Sequence, residues 1–424
     1  MRHRRLDCIL FFLVTAISLT PGRTALARDC PSLLSGRLFQ IGDTLELGAE
    51  FRSFYFGAAV GEGLPISPGP DEADYPWDNN VFLGLRALLY WYPAEGLTIA
   101  VEDELRYRWP GWEASGVPGL DNRPVSLFIE YETNGITVTG GLQSFYFGTA
   151  AVLDQRFLGL SAQLEHEVFS IEVFGGVTMR HFMRNAAHSM WMSYMSDTNG
   201  WKYASQDLSE NFAIGAIFSL RSVVRPFRLE LLYLISEASL EQLRSQAVSL
   251  HFAGPIWRPY LSFVLEPLVV IDSDANVFPG VVAEVRARFG SEANLPTLSV
   301  GGASSFLHLQ DDDPAARYNA VYENLSLGMI RRFNLHQGHV LYARAAWQII
   351  DYVGLFAGYY ANIDVAIDPT EGRVLDVNDE LDVGVALQVN DLYRMNLAYV
   401  AMNLAGDHDT SHGVYVEARI IIGR

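Results

Sequence analysis

Gly413-Val-Tyr-Val-Glu-Ala-Arg-Ile-Ile-Ile-Gly-Arg424 has the two-residue period of a β-strand. One parity of this segment is apolar and includes Val414 and Ile420, whereas the other parity carries Glu417 and Arg419. Side chains alternate between the two faces of a β-strand, so one face here needs water and the other needs lipid or a core. The segment is the last strand of either a soluble sandwich or a membrane barrel, and the rest of the chain decides between them.

The same alternation recurs along the chain in segments of about ten residues. The predicted strands begin near Thr44, Val81, Leu97, Val125, Ile136, Leu158, Val168, Phe212, Phe227, Arg244, Tyr260, Val281, Thr297, Asn324, Val340, Leu381, Arg394 and Gly413. Tight turns such as Thr133-Asn134-Gly135 alternate with longer connections. This sorting predicts an all-β, antiparallel, up-and-down transmembrane β-barrel of about 18 strands (16–18), with short periplasmic turns and long extracellular loops.

The N-terminal segment predicts export. A basic start precedes a short apolar run, and Ala25-Leu26-Ala27 forms a cleavage site for a secretory signal peptide. We therefore expect a signal peptide over residues 1–27, a periplasmic N-terminal segment over 28–43 and the barrel over 44–424. The predicted location is the outer membrane of a Gram-negative bacterial cell.

Composition excludes several functions. After removal of residues 1–27 the chain carries 26 basic and 48 acidic residues, a net charge of −22, which disfavours a nucleic-acid partner. Cys30 is then the only thiol, so an internal disulfide cannot form. The sequence contains no nucleophile elbow, zinc-protease motif or phosphate loop, and we do not expect an enzyme.

The inward parity of the predicted strands is rich in charge, and it defines the candidate residues for lumen selectivity. These are Glu46, Glu50, Arg52, Arg86, Glu102, Glu104, Arg106, Arg108, Glu130, Glu132, Arg286, Arg288, Arg344, Arg394, Glu417 and Arg419. The lumenal acids lean toward the early strands and the arginines toward the later ones, which would create a transverse field across the lumen. The alternative is that acids and arginines pair with each other and solvate a wet wall. Asp103 interrupts the outward apolar parity of its strand.

Two predicted loop features bear on metals. Acidic residues concentrate in the outer loops, for example Asp311-Asp312-Asp313 and the segment from Asp364 to Asp379, where they either bind Ca²⁺ or are simply solvated. The longest loop, Thr178–Glu210, is the predicted constriction, and its candidate residues are Met179, His181, Met183, His188, Met190, Met192 and Met195. Its methionines fit either soft-metal binding, as of Cu(I), or irregular apolar packing. We expect no cofactor beyond a loop-bound Ca²⁺ or Cu ion.

One short region resembles a known family. Val138-Thr139-Gly140-Gly141-Leu142-Gln143, followed by Asp154-Gln155-Arg156-Phe157-Leu158-Gly159, is similar to the alginate-export family of outer-membrane channels. That family has an arginine where Leu142 stands, and the C-terminal Arg424 departs from the aromatic residue that the barrel-assembly machinery commonly reads. The architecture is also similar to that of the substrate-specific outer-membrane porins. The resemblance implies an outer-membrane channel and does not carry alginate as the substrate.

The resulting hypothesis is a porin-like channel for the diffusion or export of small polar or saccharide solutes. Its expected partners are outer-membrane lipid and lipopolysaccharide, the barrel-assembly machinery and a small polar solute. The alternatives are a closed or partner-filled structural barrel, such as a scaffold or a sheath for an electron carrier, and soft-metal uptake through the Met-rich loop.

Overall fold

The computed structural model describes residues 39–59, 77–109, 119–149, 153–179, 212–220, 226–237, 244–271, 277–290, 295–305, 338–368, 372–389, 393–402, 404–405 and 410–422. Its strands are β1 (Phe39–Ile41), β2 (Leu45–Ala59), β3 (Trp77–Ala94), β4 (Leu97–Trp109), β5 (Gly119–Thr133), β6 (Ile136–Phe147), β7 (Leu153–Glu165), β8 (Phe169–Met179), β9 (Phe212–Leu220), β10 (Arg228–Glu237), β11 (Arg244–Trp257), β12 (Leu261–Ile271), β13 (Val277–Arg288), β14 (Thr297–Ser305), β15 (Gly338–Ile350), β16 (Val353–Asp368), β17 (Gly372–Gln388), β18 (Tyr393–Met402) and β19 (Ser411–Ile422). Within these ranges no helix is long and apolar enough to cross a membrane.

Strands β2 to β19 close into one antiparallel ring. Each strand pairs with its neighbour in the chain, and β19 returns to pair with β2 from His412↔Ala59 to Ile422↔Ala49. The ring has 18 strands, which confirms the predicted all-β barrel and its strand number. The short strand β1 pairs with residues 45–47 of β2, on the part of that strand that β19 does not reach.

The two faces of the ring differ in chemistry as the alternation predicts. On β19, Val414 and Ile420 are exposed on the outside, whereas Glu417 and Arg419 are buried on the inside. The same outward exposure recurs around the ring at Leu85, Val101, Leu127, Val138, Leu160, Val173, Ile214, Val248, Val285, Val300, Leu341 and Val383. Soluble proteins rarely expose a continuous apolar belt of this extent. The outside of the barrel is therefore built to face lipid.

Short turns close the end of the barrel at which the described chain starts and stops. Asn134 and Gly135 both have positive φ, at 47° and 77°, as the Asn-Gly hairpin signal predicts. The carbonyl of Gly135 accepts a hydrogen bond from the backbone N–H of Glu165 at 2.7 Å, and that of Gly96 accepts one from Glu132 at 2.8 Å. Each of these turns is thus bonded to the next hairpin, which holds the relative height of neighbouring strands.

Replacing Gly96 with alanine is expected to destabilise the barrel. Gly96 has φ +73°, and an added Cβ would lie 2.3 Å from the carbonyl oxygen of Glu132. Gly42→Ala is the matched control, because Gly42 has φ +63° with open space around it. The control should lose about 1–2 kcal/mol from the left-handed backbone alone, and Gly96→Ala should lose more. Urea unfolding in lipid vesicles measures both, and equal losses would contradict the steric argument.

The structure corrects one part of the predicted strand order. A strand over 324–333 was expected between Thr297–Phe306 and Val340–Ile350, but β14 pairs directly with β15 from Thr297↔Ala346 to Ser304↔His339. The segment 324–333 itself lies outside the described residues. The strand that the sequence analysis missed is β16, which brings the ring to 18 strands. It forms a hairpin with β15 across Asp351-Tyr352.

The acids assigned to the loop after β15 are also placed differently. Asp364 and Asp368 lie in β16, and Asp376 and Asp379 lie in β17. Asp379 is buried and accepts hydrogen bonds from the Tyr359 hydroxyl at 2.9 Å and from the backbone N–H of Leu404 at 2.6 Å. A carboxylate satisfied by such donors tolerates burial in a strand. The prediction of a loop was therefore wrong for these four residues, which lie in strands, and the prediction of solvation was wrong for Asp379.

Candidate functional site

Charged side chains line the inside of the barrel on β18, β19, β2, β3 and β4, a surface called here the charged wall. Arg394, Arg419 and Arg52 are register partners on three neighbouring strands. Arg86 and Glu104 are register partners on β3 and β4. Buried members of the charged wall are Glu50, Arg52, Arg86, Glu102, Glu104, Glu417 and Arg419. Strand pairing therefore brings several of the predicted selectivity residues together on one side of the lumen.

Arginines of the charged wall bond to nearby acids. Arg52 donates from Nε to Glu50 Oε1 at 2.5 Å and from Nη2 to Oε2 at 3.0 Å. Arg419 donates from Nε to Glu417 Oε1 at 2.5 Å, and Arg86 pairs with Glu102. Residues two apart on a strand lie on the same face, so the Glu-x-Arg spacing produces the Glu50–Arg52 and Glu417–Arg419 pairs locally. The Arg86–Glu102 pair instead joins β3 to β4. Such pairs favour the paired-charge alternative over walls of opposite sign.

A second charged cluster lies on β13 and β15. The Glu284 carboxylate accepts hydrogen bonds from Arg286 Nη2 at 2.6 Å, Arg344 Nη2 at 2.5 Å and the Tyr342 hydroxyl at 2.8 Å. The guanidinium carbon of Arg344 also lies 4.5 Å from the centre of the Tyr342 ring. Two arginines therefore share the Glu284 carboxylate in this cluster.

The hairpin formed by β6 and β7 leaves the barrel wall. Pairing between β5 and β6 ends at Leu127↔Leu142, whereas pairing between β6 and β7 continues to Phe147↔Leu153. The departure occurs next to Gly141, whose φ of 129° lies in a region that side chains disfavour. Gln143 then joins the two strands of the hairpin, because its side-chain oxygen accepts a hydrogen bond from Ser161 Oγ at 2.9 Å. The described residues 143–149 and 153–157 are called here the inward hairpin.

The tip of the inward hairpin docks on distant strands inside the lumen. The backbone N–H of Thr149 donates to Glu266 Oε2 on β12 at 2.6 Å, and the Phe147 ring lies edge-on to His251 on β11 at 6.3 Å. Strands β8, β9 and β10 separate the hairpin from β11 along the wall. His251 and Glu266 have the inward parity of their strands, since Leu250 and Leu265 face outward. The contact therefore spans the interior of the barrel.

Apolar packing supports the same position. Phe145, Phe147, Leu153 and Phe157 of the hairpin belong to one buried cluster with inward side chains of β8 to β16, called here the apolar wall. Its members are Phe174, Ala213, Ile217, Leu232, Leu234, Ala247, Leu268, Val270, Val282, Ala303, Val340, Tyr342 and Tyr360. The rings of Phe145 and Phe174 stack with centres 4.3 Å apart. The hairpin covers the apolar wall, and the charged wall lies on the other side of the lumen.

The remaining predicted selectivity residues are more scattered. Glu46 accepts a hydrogen bond from the Tyr92 hydroxyl at 3.0 Å, and Glu130 accepts one from Thr139 at 3.1 Å. Glu132 is exposed next to a turn, and Arg288 is half-buried near the end of β13. Arg106 and Arg108 belong to β4, but their side chains lie outside the described part.

The structure describes only one candidate residue of the predicted constriction loop, Met179. Met179 is the last residue of β8 and pairs with Arg156 of β7, so its backbone belongs to the wall. The other six candidates, His181, Met183, His188, Met190, Met192 and Met195, lie outside the described residues, so soft-metal binding there stays a prediction. In the described ranges no group of three or more His, Cys, Asp or Glu side chains could hold a metal ion.

The inward hairpin was not predicted from the sequence. A usable signal was present, because the lumenal parity of β6 changes from Thr137 and Thr139 to Phe145 and Phe147. Aromatic side chains on a parity that otherwise faces a polar lumen indicate a segment that packs against protein rather than water. Gly140-Gly141 precedes this change and marks the place where the strand bends.

Comparison with solved structures supports the fold, although no family model and no curated protein matches the chain. Pseudomonas aeruginosa OpdQ has a TM-score of 0.56 at 12% identity, over 90% of this chain and 99% of that chain. Acinetobacter baumannii OccAB3 has a TM-score of 0.57 at 12% identity, also over 90% and 99%. The P. aeruginosa outer-membrane protein OpdK has a TM-score of 0.56 at 10% identity, over 91% of this chain and 100% of that chain.

Identities of this size establish a shared fold and not a shared function. A closed barrel with an apolar outer belt satisfies every backbone group of its strands in lipid, and this supports a location in the outer membrane. The chain is a closed antiparallel barrel of 18 strands with the fold of the outer-membrane protein OpdK.

Proposed function

We propose that this protein is an outer-membrane channel that selects small polar solutes. The observation that carries the proposal is that the inward hairpin covers the apolar wall and leaves the charged wall on the other side of the lumen. A solute that passes the hairpin travels along the charged wall. Barrels of this strand number are too wide for their own side chains to fill, and the inward hairpin narrows this one to the size of a small solute.

The charged wall favours solutes that carry both hydrogen-bonding and charged groups. The pairs Glu50–Arg52 and Glu417–Arg419 place donors and acceptors next to each other with little net charge. Because each of these arginines is paired with an acid, they add little net positive charge that would attract a polyanion. We therefore propose small polar or saccharide solutes rather than large polyanions.

The resemblance to the alginate-export family is confined to one segment of the chain. The resembling residues, Val138–Gln143 and Asp154–Gly159, fall on β6 and β7 where the inward hairpin begins and ends. Paired charges on the lumenal wall do not suit a polyanionic polymer, and Leu142 replaces the arginine of the family pattern. The segment supports a channel, and alginate is not proposed as its substrate.

Single-channel recording in planar bilayers tests the proposal. We expect steady ohmic conductance from the purified protein. The reversal potential under a salt gradient should show weak ion selectivity, because the lumenal charges are paired. Absence of conductance from both the wild type and a variant lacking the hairpin tip would contradict the channel.

The alternative from another class is a closed or partner-filled structural barrel. The observation in its favour is that inward side chains such as Glu50, Glu102 and Glu417 are buried rather than open to a wide lumen. This alternative predicts no conductance in any variant. It also predicts that a macromolecular partner is retained when the protein is purified from its native membrane.

A further inference from the structure

Two tyrosine rings line the inside of the barrel at the end with the short turns, called here the turn end. Tyr90 and Tyr92 on β3 have the inward parity, because Leu88 of the same parity is buried whereas Trp91 of the other parity is 46% exposed. The two ring centres are 6.5 Å apart, and the ring planes differ by 16°. Aromatic side chains that anchor a barrel at the membrane interface point outward. Anchoring therefore accounts for Trp91 and not for Tyr90 and Tyr92.

Polar side chains flank the two rings. The Tyr92 hydroxyl donates a hydrogen bond to Glu46 Oε2 on β2 at 3.0 Å. Glu46 is the register partner of Tyr90 on one side and of Gln40, in the short strand β1, on the other. Side chains directly opposite each other on neighbouring strands point to the same face of a sheet, so β1 adds an amide beside the carboxylate. The four residues Gln40, Glu46, Tyr90 and Tyr92 are called here the tyrosine platform.

A solute can reach the tyrosine platform, unlike the inner face of the same strands farther into the barrel. There the inward side chains of Glu50, Leu88 and Glu102 are 0%, 2% and 5% exposed. On the platform, Glu46 and both tyrosines are half-buried, and Gln40 is exposed. The rings and the polar groups beside them are therefore available to a solute at the turn end.

The chemistry of the tyrosine platform matches that of a neutral sugar. A pyranose ring presents apolar C–H groups on its faces and hydroxyl groups around its edge. The aromatic rings offer an apolar surface, the carboxylate accepts hydrogen bonds from hydroxyls, and the amide both donates and accepts them. Sites for small molecules combine aromatic walls with a few well-placed polar groups in this way. The four platform residues include no basic side chain, and the Glu46 carboxylate repels anionic solutes.

We propose that the tyrosine platform binds the sugar rings of neutral saccharides as they enter or leave the barrel at its turn end. The proposal rests on the proposed channel function and deepens it by naming the substrate class. It also gives a role to β1, which is not one of the 18 strands of the closed ring, because its pairing with β2 places Gln40 next to Glu46.

Binding of maltotriose, a neutral trisaccharide, to the purified protein in detergent tests the platform without depending on conduction. Isothermal titration calorimetry should show saturable binding by the wild type. The variant Tyr90→Leu/Tyr92→Leu keeps apolar side chains but removes both rings, so its affinity should be several-fold lower. Tyr131→Leu is the matched control, because Tyr131 is 50% exposed on the outside of β5. This control should bind maltotriose as the wild type does.

Two further comparisons separate the parts of the site. The variant Tyr90→Phe/Tyr92→Phe keeps both rings and loses both hydroxyls, so it should bind maltotriose more tightly than the leucine variant does. Trigalacturonate, an anionic trisaccharide, should bind the wild type several-fold more weakly than maltotriose does, and Glu46→Gln should reduce this difference. Circular dichroism checks that each variant keeps its strand content.

The outcomes separate the platform from the channel. The platform is overturned by absence of maltotriose binding to the wild type, by equal affinities of the wild type and the leucine variant, or by equal losses in the leucine variant and in Tyr131→Leu. Trigalacturonate bound as tightly as maltotriose also overturns it. Steady conductance beside any of these results leaves the channel standing. Maltotriose binding that the leucine variant loses, in a protein that does not conduct, overturns the channel and leaves the platform as a saccharide site.

Discussion

Gly148→Val is expected to raise single-channel conductance several-fold, because it prevents the inward hairpin from docking. Gly148 has φ +54°, and an added Cβ would lie 2.1 Å from Glu266 Oε2 and 2.9 Å from His251 Nδ1. A β-branched side chain has no low-energy form at such a position. Glu266 is fully buried and its carboxylate also accepts a hydrogen bond from Ser249 Oγ at 3.0 Å. We therefore expect the tip, rather than Glu266, to move, which widens the passage beside the charged wall.

Planar-bilayer recording measures this effect, and Ala162→Val is the matched control. Ala162 lies on β7, below the inward hairpin, on the lipid-facing side. The control should conduct as the wild type does. If Gly148→Val leaves conductance unchanged while deletion of residues 180–210 raises it, the constriction belongs to the Met-rich loop, as the sequence predicts, and not to the hairpin.

Arg52→Ala is expected to destabilise the barrel strongly. Among the charged-wall residues with a described ion pair, we expect its truncation to alanine to cause the largest loss. Arg52 is among the largest fully buried side chains, and its guanidinium makes two hydrogen bonds to the buried Glu50 carboxylate. Removing one partner leaves a buried charge without compensation, which costs about 3–5 kcal/mol. Unfolding of the barrel by guanidinium chloride in lipid vesicles measures the free energy of unfolding and should show this loss.

The double variant Glu50→Gln/Arg52→Gln is the control for the charge itself. It removes both charges and keeps two polar side chains, so it should recover a large part of the stability that Arg52→Ala loses. A double variant as unstable as Arg52→Ala would indicate that packing of the long arginine side chain, rather than its charge pair, stabilises this part of the wall.

Sequence periodicity alone was enough for the class of fold. The alternation of Val414, Glu417, Arg419 and Ile420 predicts a strand between lipid and water, and the structure confirms this arrangement. The spacing of Glu50 from Arg52 likewise places both side chains on one face. These features are local, since they depend on the two-residue period of a strand and on the turn chemistry of motifs such as Asn134-Gly135.

Pairing order could not be read from the same pattern. Both 324–333 and Val353–Asp368 alternate, and acids such as Asp364 and Asp368 in the second segment resemble those of solvated loops. Only the closure of the ring shows that β16 pairs with β15 and β17. Register between strands depends on contacts far apart in the chain, and a single sequence does not encode these contacts as a local period.

What the sequence determined by itself was a barrel with an apolar outside and a charged inside, because alternation is a property of each strand alone. What only the tertiary structure decided was which segment enters the lumen. Thr149 meets Glu266 across the barrel, at a separation of 117 residues along the chain. That contact exists because ring closure brings β6 and β7 within reach of β11 and β12, and because Phe145 and Phe157 find an apolar surface there instead of water.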